Sequence, residues 1–241
     1  MITFDEMRSK ESLSTWWAKM LVDTNHSYPI VDFSTIDETF KMNTCVDIGC
    51  NIGAFSYLAS SKFKKVISFE PGYYTSVIAR TRLNQKERIK NVFVHNLAVG
   101  KNTGDIVKLG CDVHGGERNS GNSSVVYESS IDEYELVTTV SMEKVFELCE
   151  TDFIDYLKVD CEGSEYDILL GKDLSNIGII VGEIHRHPNK EFEVARKELL
   201  DHLSENFSTV ATRNNFFAVN TKFKIQPSNF FGGVVYETQS I

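Results

Sequence analysis

Apolar residues recur along this chain in two rhythms. Met7, Leu13, Trp16, Trp17, Met20 and Leu21 come at helix-like spacing until Tyr28-Pro29 breaks the run. The paired tryptophans read as cover for the main core. From residue 44 short apolar runs take over, and 45–48, 66–69, 92–99, 156–159 and 178–184 read as strands. Helical stripes lie between them. Phe55, Leu58 and Ala59 share a face, a second helix is expected near 74–85, and Met142, Val145, Phe146 and Cys149 follow the i, i+3, i+4, i+7 pattern. A short helix is expected over 166–170, and Phe192, Ala195, Leu199 and Leu203 line another. Two last strands, 207–212 and 216–219, are joined by a turn at Asn214-Asn215. Residues 100–136 read as polar and irregular, with short strands at 106–109 and 124–127.

Strands alternating with helices predict a parallel sheet covered on both faces. The expected fold is α/β, a Rossmann-like seven-stranded mostly parallel sheet with an antiparallel C-terminal edge strand. A helical extension is expected over 1–40, a single domain over 41–222, and a tail over 223–241 packed on or near it.

Composition narrows the function. Lys and Arg number 25 against 34 Asp and Glu, a net charge of −9 that argues against a broad polyanion-binding surface. No apolar run approaches the roughly 18–20 residues of a membrane span. The opening MITFDEMRSK lacks the regions of a secretory signal. Cys45, Cys50, Cys111, Cys149 and Cys161 form no C-x-x-C pair, so neither zinc nor dithiol chemistry is indicated and a reducing, cytoplasmic location is expected.

In such sheets ligands sit beyond the C-terminal strand ends, where strand order reverses. The residues at the ends of strands one, two, four and five are Asp47, Glu70, Asp160 and Glu183, all acidic. Carboxylates are seldom buried there without a partner. The first strand-turn-helix reads TCVDIGCNIGAFSYLA, in which Gly49 and Gly53 permit a tight turn close to a ligand. Asn51 replaces a glycine of the strict G-x-G-x-x-G pattern, and Asn tolerates the left-handed conformation. Glu70, 23 residues after Asp47, is placed to accept from both hydroxyls of a ribose. Turn and acid together specify an adenosine-type ligand, either a nicotinamide dinucleotide or S-adenosylmethionine. Asp47 beside the turn favours the second, since it would repel a pyrophosphate but stabilise a sulfonium or ammonium.

Six blocks in order now carry a resemblance: VDIGCNIGAFS, SFEPGYYTSVIARTRLNQ, VHNLAVG, GNSS, YLKVDCEGSEYDILLG and GEIH, spanning about 44–186. In them the chain resembles the FkbM-type S-adenosylmethionine-dependent methyltransferases. Cys50 stands where the family usually carries Ala, and Tyr73 where it often has Pro. The resemblance implies a class I methyltransferase fold, S-adenosylmethionine as cofactor, and methyl transfer, usually to oxygen. Position by position, it implies that Asp47, Gly49, Asn51 and Gly53 cradle the methionine part. Glu70 would hold the ribose, Asn96 and Ala98 would lie near the adenine, and Ser123 and Ser124 would belong to a loop closing over the cofactor. Asn96 read alone is equally a turn cap, and the two serines an exposed turn.

A hydroxyl acceptor must lose its proton, and the candidates for the base are His185, Asp160, Glu162 and Glu183, with Asp160 also beside the cofactor. His185 has the ordinary pKa best matched to the task. Lys158 reads as a packed stem whose ammonium pairs with a carboxylate, and Glu165 as favouring a helix N-terminus. The three carboxylates and His185 are also compatible with Mg²⁺ or Ca²⁺, although spacing alone predicts no metal. His187-Pro188 reads as a turn, and His114 as a loop residue within reach of substrate or simply polar. The leading expectation is O-methylation of a small molecule, sugar or glycan. Two alternatives are RNA methylation at a cap or ribose, using a basic edge of Lys62, Lys64, Lys65, Arg80, Arg82, Lys86, Arg88 and Lys90, and a non-catalytic cofactor-binding module of a larger assembly.

Overall fold

The near-continuous apolar runs become fully buried strands because helices cover both faces of the sheet they form. In the computed structural model, residues 17, 20–25, 27–114, 117–124 and 134–236 are described, with backbone alone over 111–124. In chain order, β1 (Thr44–Ile48), α1 (Ala54–Ser60), β2 (Lys65–Phe69), α2 (Tyr73–Arg80) and β3 (Val92–His95) build the first half of the sheet. A π-helical turn, Thr81–Lys86, extends α2. Then come β4 (Ala98–Val99), β5 (Ile106–His114), β6 (Glu117–Ser124) and β7 (Tyr134–Val140). The second half comprises α3 (Met142–Cys149), β8 (Ile154–Val159), α4 (Glu165–Leu169), β9 (Ile177–Glu183) and α5 (Phe192–Ser204). It closes with β10 (Phe207–Ala211), β11 (Asn215–Asn220) and β12 (Val234–Tyr236).

The main sheet runs β12-β10-β11-β9-β8-β1-β2-β3. Strands β3, β2, β1, β8 and β9 pair in parallel, as expected. The antiparallel end holds β11, inserted between β9 and β10, and β12 outermost on β10. The strand count is eight rather than seven because Val234–Tyr236, in the expected tail, adds to the edge.

Alternate residues of the buried strands serve opposite faces. Val46, Ile48, Leu157 and Val159 pack against α3, α4 and α5, whereas Cys45 and Tyr156 join Phe33, Phe40, Phe55 and Phe217 on the other side. Packing runs across both expected domain limits, with Tyr28, Phe33 and Phe40 before residue 41 and Ile225 after 222 in the second core. Trp17 is buried against Ile52 and Ala54, with the Arg82 guanidinium 4.1 Å from its ring centre. Trp16 lies outside the described residues.

Residues 100–136 are more regular than expected, and the short strand expected at 106–109 runs on to His114 as β5. They contribute to a second sheet of order β4-β7-β5-β6 that buries a small cluster of Ala98, Leu109 and Val137. Its outer strand is held by backbone pairing and not by apolar alternation: β6 reads ERNSGNSS and contains no apolar side chain. Of the strand expected at 124–127, Ser124 ends β6 and the rest lies outside the described residues. Among the described residues no helix is long and apolar enough to cross a membrane.

Candidate active site at the switch point of the sheet

Strand order reverses at β1, which has β2 on one side and β8 on the other. The chain leaving β1 turns through left-handed residues, Gly49 at φ 77°, Asn51 at 50° and Gly53 at 88°. The amides of Gly49 and Cys50 both donate to the Phe69 carbonyl at 3.0 Å, which locks the turn to the end of β2. A Cβ on Gly49 would stand 1.8 Å from the Asp160 carbonyl oxygen, so only glycine lets the loops after β1 and β8 meet. Gly53 faces Leu83 instead, at 2.8 Å from its Cδ1 to an added Cβ, and serves helix packing.

Glu70 is the hub of this corner. One carboxylate oxygen accepts the Asn51 amide and the other the Gly72 amide, each at 2.9 Å. Burial lifts its carboxyl from 4.5 to about 7 against the pull of those two donors. A cavity of about 250 Å³ opens beside it. Gly49, Asn51, Glu70, Ala98, Asp160, Glu162 and Glu183 are among the residues that line it. The Asn51 Oδ1 atom is buried without a hydrogen-bond partner.

Asp47 and Lys158 lie on adjacent strands in register and are almost wholly buried. The ammonium sits 3.2 Å from Asp47 and 3.4 Å from Asp160 and donates to the Gly49 carbonyl at 2.8 Å. Burial disfavours the charge on Lys158, but the carboxylates of Asp47 and Asp160 outweigh it and hold the ammonium protonated. Burial raises the Asp47 carboxyl, opposed by Lys158 and by the Ser56 hydroxyl, which donates at 2.6 Å. With its counter-ion fixed, Asp47 is the buried anion of the pair. It braces the turn from behind and is not among the residues lining the cavity.

His185 follows β9 and is ringed by carboxylates. Its Nδ1 contacts Glu165, which is fully buried, while Nε2 lies 3.5 Å from Glu162, 3.6 Å from Glu183 and 4.0 Å from Asp160. Burial works against the imidazolium, yet the Glu165 hydrogen bond and charge, then Glu162 and Asp160, lift His185 to about 9. Burial likewise lifts Glu162 to about 7, opposed by His185, and raises Glu183 with the help of Asp160. Tyr28 completes the group. Burial, then the charges of the Asp160 and Glu183 carboxylates against its hydroxyl, push its phenol well up.

The structure thus gathers Gly49, Asn51, Glu70, Ala98, Asp160, Glu162 and Glu183 around one cavity, with Asp47 and His185 just behind its walls. Asn96 does not line it: its side-chain amide donates to the carbonyls of Glu70 and Pro71 at 3.0 and 2.7 Å, capping the turn. Ser123 and Ser124 fall at the end of β6, and His114 at the end of β5, where the backbone alone is described. Cys161 and Ser164 also line the cavity. Glu165 reaches His185 from α4 rather than only favouring a helix end, and nothing in its local pattern announced that. Nor did any signal place Tyr28 at the strand ends, since it precedes the first strand by 16 residues. In the expected basic edge, Arg80 donates to the Val94 carbonyl and Arg82 covers Trp17.

The sequence matches the family model of the methyltransferase FkbM domain over residues 47–210. No curated protein matches it. Among solved structures, it is similar to methyltransferase FkbM from Methylobacillus flagellatus KT, at 13% identity and a TM-score of 0.46, over 90% of this chain and 60% of that one. It is also similar to M. capricolum TrmK in complex with S-adenosylhomocysteine, at 12% identity and a TM-score of 0.40, over 83% and 74% of the two chains. The chain therefore spans 60% of the length of the first of these.

Proposed function

Because the chain belongs to the FkbM methyltransferase family, we propose that the cavity at the ends of β1, β2, β8 and β9 holds S-adenosylmethionine and directs its methyl group to a hydroxyl. The observation that carries this reading is one cavity lined by Gly49, Asn51, Glu70, Ala98, Asp160, Glu162 and Glu183 at the switch point of the sheet. The residues fit the donor on two counts. The orphaned Oδ1 of Asn51 offers an acceptor at the cavity, and the anionic lining suits a ligand with an ammonium and a sulfonium. When bound, S-adenosylmethionine supplies a methyl group already activated by its sulfonium.

The chain's own contribution is positioning, an effect able to supply roughly 7–11 kcal/mol. Glu70, whose backbone donors leave carboxylate lone pairs free, takes the ribose hydroxyls. Gly49 and Asn51 lie against the methionine part, Ala98 against the adenine, and Asp47 with Lys158 holds the turn in place. The carboxylates of Glu162, Glu183 and Asp160 line the acceptor wall, and one of them receives the hydroxyl proton, a contribution of about 10²–10⁴-fold. Glu165 fixes Nδ1 of His185 while Nε2 faces the other carboxylates, so the ring positions that wall. The acidic cleft and the engaged Arg80 and Arg82 favour a neutral polar acceptor, a small molecule, sugar or glycan, over RNA. Residues 28–40 and β12, packed into the same cores, act as part of the catalytic unit.

The test is release of S-adenosylhomocysteine with a panel of hydroxylated small molecules and glycosides, beside structured RNA. Turnover with a neutral hydroxyl acceptor, little changed by salt, is expected. Turnover with RNA alone, falling steeply with salt, would overturn the acceptor assignment.

A further inference from the structure

A proton cannot satisfy the geometry around His185. Nε2 carries at most one hydrogen, yet three carboxylates face it at 3.5, 3.6 and 4.0 Å. All three distances exceed the roughly 2.7–3.2 Å of an N–H···O hydrogen bond. They do fall within the range of spacings open to two ligands of one ion. For bonds of about 2.1 Å, octahedral ligands stand about 3.0 Å apart when adjacent and about 4.2 Å when opposed.

We propose that Asp160, Glu183 and His185 form the binding site of a single divalent cation of the Mg²⁺ or Mn²⁺ class at the acceptor wall. One ligand atom from each of the three lies within 4.8 Å of the others. Two observations outside this ligand set support it. Glu165 is fully buried on α4 and engages Nδ1, which fixes the ring and presents Nε2 as the ligand atom. A carboxylate behind a metal-binding histidine does the same in many metal sites. The Tyr28 side chain is buried, and its hydroxyl lies against the carboxylates of Asp160 and Glu183 without a well-formed hydrogen bond to either. It is thus placed to meet a water or hydroxyl held between those carboxylates. The electrostatics agree. Asp160, Glu162, Glu165 and Glu183 crowd one imidazole, and Lys158 is shared between Asp160 and Asp47. A dication relieves that repulsion. One imidazole among carboxylates favours Mn²⁺ or Mg²⁺ over metals that seek thiolates.

The use of the ion rests on the methyl-transfer reading: at this wall it would orient an acceptor through its oxygen atoms and lower the pKa of the hydroxyl to be methylated. The site itself does not rest on it. The test is Mn²⁺ titration of the full chain, stripped with chelator and without donor or acceptor, following loss of the free Mn²⁺ paramagnetic resonance signal. One Mn²⁺ per chain is expected, competed by Mg²⁺. His185→Ala and Asp160→Asn should weaken it tenfold or more, and Glu165→Gln 10–100-fold. Each variant is checked by far-ultraviolet circular dichroism and a thermal melt. If either of the first two fails to fold, Glu183→Gln, on a partly exposed side chain, takes its place with the same tenfold expectation. A folded wild type that binds no Mn²⁺, or variants that bind it unchanged, would overturn the site. S-adenosylhomocysteine binding measured on the same samples separates the two readings, because its loss with Mn²⁺ binding intact counts against the donor pocket alone.

Discussion

Replacing Glu70 with Gln should flatten a specific part of the protein's pH–stability curve. The unfolded chain releases this proton near 4.5, whereas burial keeps it on the folded protein until about 7. The folded state therefore binds more protons between those values, and the stability this confers is complete below about 4.5 and lost as pH rises through about 7. At roughly 1.4 kcal/mol per pH unit, the whole effect is about 3 kcal/mol, of which roughly 2.5 kcal/mol falls between about pH 5 and pH 8. Gln carries no proton and lacks this component. Its amide also meets one of the two backbone donors badly, but that penalty is independent of pH and shifts the curve without tilting it. Urea denaturation of both proteins at intervals from about pH 5 to 8 isolates the difference in slope. Wild type should lose roughly 2.5 kcal/mol relative to the variant across that range. Saturating S-adenosylhomocysteine, whose ribose hydroxyls would donate to the ionised carboxylate, should narrow the loss. Parallel curves, within about 0.5 kcal/mol throughout, would refute the claim that Glu70 is a desolvated carboxyl, and with it the poise assigned to the ribose site.

Two further outcomes follow from the buried geometry. Lys158→Met strands the fully buried Asp47 without its counter-ion and should lower unfolding free energy by about 3–5 kcal/mol. Adding Asp47→Asn should recover much of that loss, and a double-mutant cycle with no coupling would contradict the pairing. Gly49→Ala forces a left-handed alanine, itself about 1–2 kcal/mol, and drives its Cβ to 1.8 Å from the Asp160 carbonyl. A melting temperature within a degree of wild type would show that the two loops do not meet as described.

The parallel sheet was legible because buried strands concentrate apolar residues over short runs that helical stripes separate. The C-terminal pair at 207–220 was legible for the same reason, and α3 matches its expected span of 142–149. Of the second sheet only the start of β5 was legible, since β6 has no apolar residue and its pairing depends on backbone groups that any sequence supplies. β12 was missed because a three-residue edge strand of Val-Val-Tyr carries too little pattern to separate it from a tail. At the site, the strand-end carboxylates stood out through their spacing, and the left-handed Asn51 through the residue type that tolerates it. What remained hidden were relations between distant segments. Asp47 stood out at its strand end, but its register with Lys158 on the neighbouring strand did not. His185 stood out as a titratable group, but no local pattern announced Glu165, Glu162, Glu183 and Asp160 around its ring. Such partners differ by tens of residues along the chain, and local periodicity contains no record of them.

The most direct trial of the account is calorimetric titration of S-adenosylhomocysteine into the full chain and into Glu70→Ala at about pH 8. Binding of one molecule per chain, weakened tenfold or more by the substitution while the fold persists, is the expected result. A folded wild type that takes up no S-adenosylhomocysteine, or a variant that binds it with undiminished affinity, would contradict it.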